Sequence, residues 1–199
     1  MSDDAGALER CIRGGGVAVF PADTVYGLAC DPCSAAAVGR LYELKGRPAG
    51  KPAAVMFFSL ERALAALPDT GPRMRAALAA LLPGRLTLVL PNPDGRFPLA
   101  CGSDGALGLR VPDVPALASV GVAVLQSSAN RAGAADPRCV DEVDSGLRAG
   151  ADLVLDGGPL PGTPSTVVDL RVFERAGAWA VLREGAVPAS ELARVLDGV

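Results

Sequence analysis

The sequence predicts an α/β fold in which a mixed β-sheet is flanked by helices. Three observations carry that reading. Short apolar runs recur along the chain, capped helical segments stand between several of them, and other strand candidates follow one another directly. The last of these argues for a mixed sheet rather than a purely parallel one.

Taken in order, "VAVF" (Val17–Phe20) reads as a buried strand entered from the Gly14-Gly15-Gly16 break. "SAAAVGRLYELK" reads as a helix with Ser34 as N-cap and Lys45 in its last turn. "AAVMFF" (Ala53–Phe58) is a strand, and Ser59 can cap a short helix after it. Pro72–Leu82 is helical, with proline in the first turn and Pro83-Gly84 as its stop. "LTLVL", "ALGLRV" and "VAVLQS" are further strands, as are "ADLVLD", "STVVDL" and "AWAVLR". A helix near Ser190 to Val195 closes the chain. No long linker, low-complexity tract or repeat interrupts this order, so residues 1–199 are expected to form one domain.

Composition narrows the function classes. Half of the 199 residues are hydrophobic and 21% are charged, as in a soluble, well-packed protein. Aromatics make up 4% and the net charge is −3, which argues against broad binding or stacking of nucleic acid. "MSDDAGALER" is acidic and lacks an apolar targeting core, and no apolar run is long enough to cross a bilayer. A cytoplasmic protein without membrane association is expected. The five cysteines, at 11, 30, 33, 101 and 139, do not form a disulfide framework. There is no histidine, which excludes histidine triads and histidine general bases.

Polar chemistry gathers in four places. The chain holds 17 Arg and only two Lys, Lys45 and Lys51, and both lie in "KGRPAGKP" around Arg47. An ammonium is a point charge and a guanidinium a planar fork, so a segment that keeps both suits phosphates. The same pattern also fits a solvated loop. "QSSANRAG" (Gln126–Gly133) follows a strand and offers hydroxyls and an amide where α/β folds bind ligands, although alone it also fits a plain polar turn. "GTPSTVVD" places Ser165 and Thr166 at the exit of a Gly-Pro loop. Arg110 and Arg183 each follow an apolar run, where a buried guanidinium needs an anionic partner, either a ligand or an Asp or Glu of the chain. Cys30-x-x-Cys33 stands just before a predicted helix, as a redox pair would. It lacks the further ligands that a zinc site needs.

These residues resemble the YrdC-like family, the L-threonylcarbamoyladenylate synthases of tRNA modification. "FPADTVYGLACDP" is similar to the family's "PTDTVYGL" signature and "YELKGRPAGKP" to its Lys-x-Arg segment. "PGRLTLVL", "LGLRVP", "SSAN", "PSTVVD" and "VLREGAV" follow in the family's order, so the likeness spans about residues 10–190. It departs at Ala22 (usually Thr), Met56 (often His), Arg85 (usually Pro) and Ala132 (often Ser).

The resemblance implies a single YrdC/RibB-like domain, a twisted mixed sheet with an open, concave active-site face. It implies condensation of L-threonine, bicarbonate or CO2, and ATP to threonylcarbamoyl-AMP and pyrophosphate. A downstream transferase would carry the group to tRNA, which this chain would touch weakly or transiently. Mg2+ would arrive with ATP, with no direct protein ligand. Matched residue by residue, Lys45 and Arg47 would be catalytic. Arg47, Lys51, Thr87, Asn130, Arg138 and Arg183 would bind ATP. Thr24, Arg110, Ser128 and Ser165 would bind threonine, with Tyr26 against the substrate or buried as a core ring. Two other functions stay open: an RNA-binding or ribosome-associated module, and a carbamoyl-adenylate enzyme with another acceptor.

Overall fold

A computed structural model describes residues 3–48 and 50–199. In chain order the elements are α1 (Asp4–Arg13), β1 (Ala18–Pro21), β2 (Tyr26–Cys30), α2 (Ala35–Lys45), β3 (Ala54–Met56), α3 (Leu60–Ala66), α4 (Pro72–Leu81), β4 (Leu86–Leu90) and β5 (Leu107–Arg110). There follow β6 (Val124–Ser128), α5 (Ser145–Gly150), β7 (Leu153–Val154), β8 (Thr166–Asp169), α6 (Phe173–Ala176), β9 (Ala180–Arg183) and α7 (Ala189–Leu196), with 3-10 turns at Pro115–Leu117 and Val140–Glu142. The strands form one sheet in the order β7-β1-β2-β6-β3-β5-β4-β8-β9. The pairs β1–β7, β3–β5 and β4–β8 are parallel and the others antiparallel, so the sheet is mixed, as expected.

The expected caps are in place. Ser34 accepts from the Ala37 N–H, and Gly46 ends α2 in the left-handed region at φ 62°, where a glycine bears no side-chain penalty. Ser59 accepts from the Arg62 N–H. Pro72 opens α4, whose Met74 N–H is satisfied at 2.7 Å by Glu174 of α6 rather than by a local cap.

Four elements were not anticipated. The acidic start is a helix, α1, capped by Asp3 and buried through Leu8 and Ile12, one turn apart. The stretch after Asp23 and Thr24 is a strand, β2, buried throughout. Its polar lead-in and Gly27 hide it from a periodicity reading. The third and fourth, α5 and α6, have six and four residues, too short to show a helical period.

Strand alternation divides the sheet into two unlike faces. Val19, Leu28, Leu125, Val55, Leu109, Leu88 and Val168 face one layer, packed with residues of α2, α4, α5 and α7 into the main core. The opposite face is covered at one end only. There Ala18, Phe20, Ala29, Met56 and Val124 pack with Leu8 and Ile12 of α1 and with Leu117. Beyond that patch, the strands β3 to β8 leave this second face uncovered, and a cavity forms on it.

Candidate active site

The cavity has a volume of about 370 Å³. Its floor is the set of residues one position out of phase with the core: Ala54 on β3, Gly108 and Arg110 on β5, Gln126 on β6, Thr87 on β4 and Val167 on β8. Small residues keep the floor low. A side chain at Gly27 would come within 2.8 Å of Gln126 Nε2, and one at Gly108 would press on Ala54 at 3.4 Å.

Four guanidiniums line the cavity, at Arg47, Arg110, Arg171 and Arg183. They are not equivalent. Arg110 forms a buried ion pair with Asp23 at 2.7 Å, the two side chains being 4% and 3% exposed. Its Nη1 donates to Gln126 Oε1 at 3.2 Å, and its Nη2 also points at Thr24 Oγ1 at 3.4 Å. Burial pushes the Arg110 pKa down and Arg183 adds repulsion, while Asp23 opposes both. Arg171 is held by Asp169 and Asp104 at 2.6 and 2.8 Å. Among the described residues, Arg47 and Arg183 have no carboxylate partner. Arg47 donates to Ser127 Oγ at 3.3 Å and lies over the Tyr42 ring, 5.7 Å from its centre. Arg183 donates to the Ser165 carbonyl at 2.6 Å and to Ser165 Oγ at 3.1 Å. Ser165 Oγ in turn lies 2.9 Å from Thr87 Oγ1. Two unpaired cations and a chain of hydroxyls face the same space, an arrangement that suits a multiply charged anion.

Lys45 sits behind this wall, only 4% exposed. Its ammonium donates to the Ser128 carbonyl (2.6 Å), the Asn130 carbonyl (2.8 Å) and Asn130 Oδ1 (2.6 Å). An ammonium has three N–H groups, so this set uses all of them. The Lys45 carbonyl also accepts from the Ala132 N–H at 2.9 Å. Lys45 thus holds the loop after β6 by both its side chain and its backbone. Burial and the charge of Arg47 push its pKa down to about 8, with Asp136 opposing.

A family model described as telomere recombination, covering Sua5, YciO and YrdC proteins, matches residues 10–185. The chain belongs to the Sua5/YciO/YrdC family. A threonylcarbamoyl-AMP synthase of Bacillus subtilis is 34% identical over 180 residues, covering 83% of this chain and 51% of that protein. Another, from Chromohalobacter salexigens, is 33% identical over 180 residues, covering 87% of this chain and 94% of that protein. The chain therefore spans about half the length of the first and nearly all of the second. The crystal structure of Pyrococcus abyssi Sua5 complexed with L-threonine superposes with a TM-score of 0.84 at 28% identity, covering 98% of this chain and 58% of that one.

Of the residues matched to the Sua5/YciO/YrdC motifs, Arg47, Thr87, Arg110, Ser128, Ser165 and Arg183 line the one cavity. Lys45 and Thr24 stand one layer behind, touching Ser128 and Arg110 respectively. The Asn130 side chain turns into its own loop, accepting from Lys45 and Ser128 and donating to the Ala134 carbonyl. Lys51 is exposed and outside the lining, and its carbonyl accepts from the Tyr42 hydroxyl. Arg138 is also outside the lining and packs on Gly162, where its chain would be 2.5 Å from an added Cβ. Tyr26 is the buried core ring of the two alternatives. Its hydroxyl donates to the Gly158 carbonyl, and burial pushes its pKa up to about 12.

Two of the departures from the family pattern, Ala22 and Met56, lie in the apolar cluster under α1 rather than in the cavity. No motif gave a role to Gln126, Asp104, Asp136 or Arg171, and Asp23 was marked only as a member of the polar run Asp23-Thr24-Val25-Tyr26-Gly27. Asp23 adjoins Thr24 and Gln126 opens "QSSAN", so adjacency to a motif was the available signal for those two. Asp104, Asp136 and Arg171 carry no such mark.

Cys30 is fully buried on β2 and Cys33 is exposed, both as free thiols. Burial raises both thiol pKa values, that of Cys30 to about 12. A redox or metal-binding pair needs the opposite shift. Replacing Cys30 with Ala and Cys33 with Ser together is expected to leave turnover within about twofold, at a stability cost of about 1 kcal/mol from the lost core sulfur. Steady-state rates and a melting curve check both.

Proposed function

We propose that this chain is an enzyme that condenses L-threonine, bicarbonate or CO2, and ATP to threonylcarbamoyl-AMP and pyrophosphate. The observation that carries the reading is the convergence of Arg47 and Arg183, both without a carboxylate partner among the described residues, on a cavity that also presents Arg110, Ser165 and Thr87. The names of the relatives, threonylcarbamoyl-AMP synthase and a threonine complex, support threonine and ATP as substrates, and bicarbonate or CO2 is the carbon source that the carbamoyl group would need. The threonine amine takes up CO2 to give a carbamate. A carbamate oxygen bonds to the α-phosphorus of ATP, the bond to the bridging oxygen breaks, and pyrophosphate leaves.

The carbamate of threonine and ATP are both anions, so the protein's task is to gather like charges and to stabilise the leaving group. Arg47 and Arg183 would bear on the phosphates, with Lys51 at the rim. Arg110 would take the threonine carboxylate. Ser128, held by Lys45, would stand between the two substrates. Asp104 and Asp136 are the carboxylates of the lining, and Asp104 is already paired with Arg171. A divalent cation would therefore be held by the triphosphate and water rather than by a protein cage, and it would neutralise charge on the leaving pyrophosphate. A partner transferase would then pass the threonylcarbamoyl group to tRNA.

Mass spectrometry of the product formed from ATP, Mg2+, bicarbonate and L-threonine tests the proposal. The expected result is threonylcarbamoyl-AMP, with pyrophosphate release that needs both threonine and bicarbonate. Turnover with carbamoyl phosphate in place of both would assign another acceptor. Salt-sensitive RNA binding without turnover would point to a binding module.

A further inference from the structure

Arg110 is the cation that a small carboxylate would meet, yet it does not present a bare charge. Asp23 is buried with it. One carboxylate oxygen accepts from Arg110 Nη2 at 2.7 Å and the other from the Asp113 N–H at 3.3 Å. Gln126, a neutral amide, occupies Nη1 at 3.2 Å. Arg110 Nε is buried and has no hydrogen-bond partner among the described residues. The guanidinium thus arrives electrically balanced, with a donor still open.

We propose that Asp23 is a positioning and specificity residue: it cancels the charge of Arg110 so that the cavity selects its small carboxylate ligand by shape and hydrogen bonding rather than by charge alone. A buried, unbalanced guanidinium would draw any small anion, because opposite charges attract strongly where water is excluded. With Asp23 in place, a simple anion gains little, and only a ligand that also fits the hydroxyl-lined wall is held. The choice of threonine as that ligand rests on the function proposed above. The charge balance does not.

The test measures binding rather than turnover, so it reads out even if no threonylcarbamoyl-AMP is formed. Acetate, sulfate and L-threonine are titrated against the full chain by calorimetry and thermal shift. Asp23→Asn is expected to bind acetate and sulfate at least about tenfold more tightly than the natural chain, narrowing the preference for threonine over acetate. Adding Arg110→Gln should remove that gain. Gln126→Glu gives Arg110 a second carboxylate in the same volume, and it should weaken acetate and threonine binding at least about tenfold. If Asp23→Asn does not fold, the Gln126→Glu result decides alone. A folded Asp23→Asn with unchanged anion affinity, a gain that survives loss of Arg110, or a Gln126→Glu variant that binds as before would each overturn the proposal. A purely structural Asp23 would change stability but not anion preference.

Discussion

Arg47→Ala is expected to lower kcat/KM for ATP by about 100-fold or more while the chain stays folded, because it removes a charged donor from the point where negative charge develops. Arg47 is one of two cavity cations without a carboxylate partner among the described residues, so no internal anion is stranded by its loss. Its protein contacts are modest: Ser127 Oγ, the Pro52 carbonyl and the face of Tyr42. The stability cost is therefore expected to stay near 1 kcal/mol. Arg47→Lys should recover only part of the rate, since an ammonium cannot reproduce the planar fork. Pyrophosphate-release kinetics with a parallel melting curve check this. A variant that works within threefold of the natural chain would remove Arg47 from the proposed site.

Activity is also expected to fall above about pH 8, in a window where the contribution of Lys45 to stability rises. Lys45 holds the Ser128 and Asn130 carbonyls through its protons, and its pKa is pushed down to about 8. Losing one proton turns a donor into a lone pair facing carbonyl oxygens, and the loop that carries Ser128 loosens. Stability moves the other way. The folded pKa lies below the ordinary 10.5, so from about pH 8 to 10.5 the unfolded chain binds more protons. In that window the lysine's contribution to stability rises with pH. The thiols oppose it as the pH approaches 9, since burial raises Cys11, Cys30, Cys33 and Cys101 above 9.0 in the fold, Cys30 to about 12, and the unfolded chain ionises first. Between pH 8 and 9 the lysine should add up to about 1 kcal/mol. Lys45→Met should be about 100-fold less active, leaving buried carbonyls without a donor, and it should lack the alkaline limb. Rate profiles and melting temperatures from pH 7 to 9.5 decide it, and a rate that is flat to pH 9.5 would refute the role given to Lys45.

Much of this was legible in the sequence wherever a local rule acts alone. Ser34, Ser59 and Pro72 mark helix starts because a cap or a fixed φ depends only on near neighbours. The apolar runs mark strands because burial on the core face imposes a hydrophobic side chain. The element β2 was hidden because its second face is occupied by Gly27 and Ala29, which are small for reasons of tertiary approach rather than propensity. In the site, Arg110 and Arg183 were readable as charged exceptions at the ends of apolar runs, while Thr87 was marked only by the resemblance to the family. The division of labour was not. That Lys45 serves a loop while Arg47 faces the cavity depends on where β6 ends relative to α2, across 83 residues of chain. That Arg110 is already neutralised depends on Asp23, which lies 87 residues away.

The two-faced sheet has a consequence for how this chain can vary. Along β5, Leu109 and Arg110 point to opposite faces, and the same holds for Leu88 beside Thr87 on β4 and Leu125 beside Gln126 on β6. A substitution on the open face can retune what the cavity accepts without touching the packed layer behind it. A single inserted or deleted residue within any of these strands does something else. It would drive a guanidinium or hydroxyl into the core and a leucine onto the floor. Point changes are therefore the route by which relatives with this sheet can diverge in ligand, while changes of length are confined to the loops between strands.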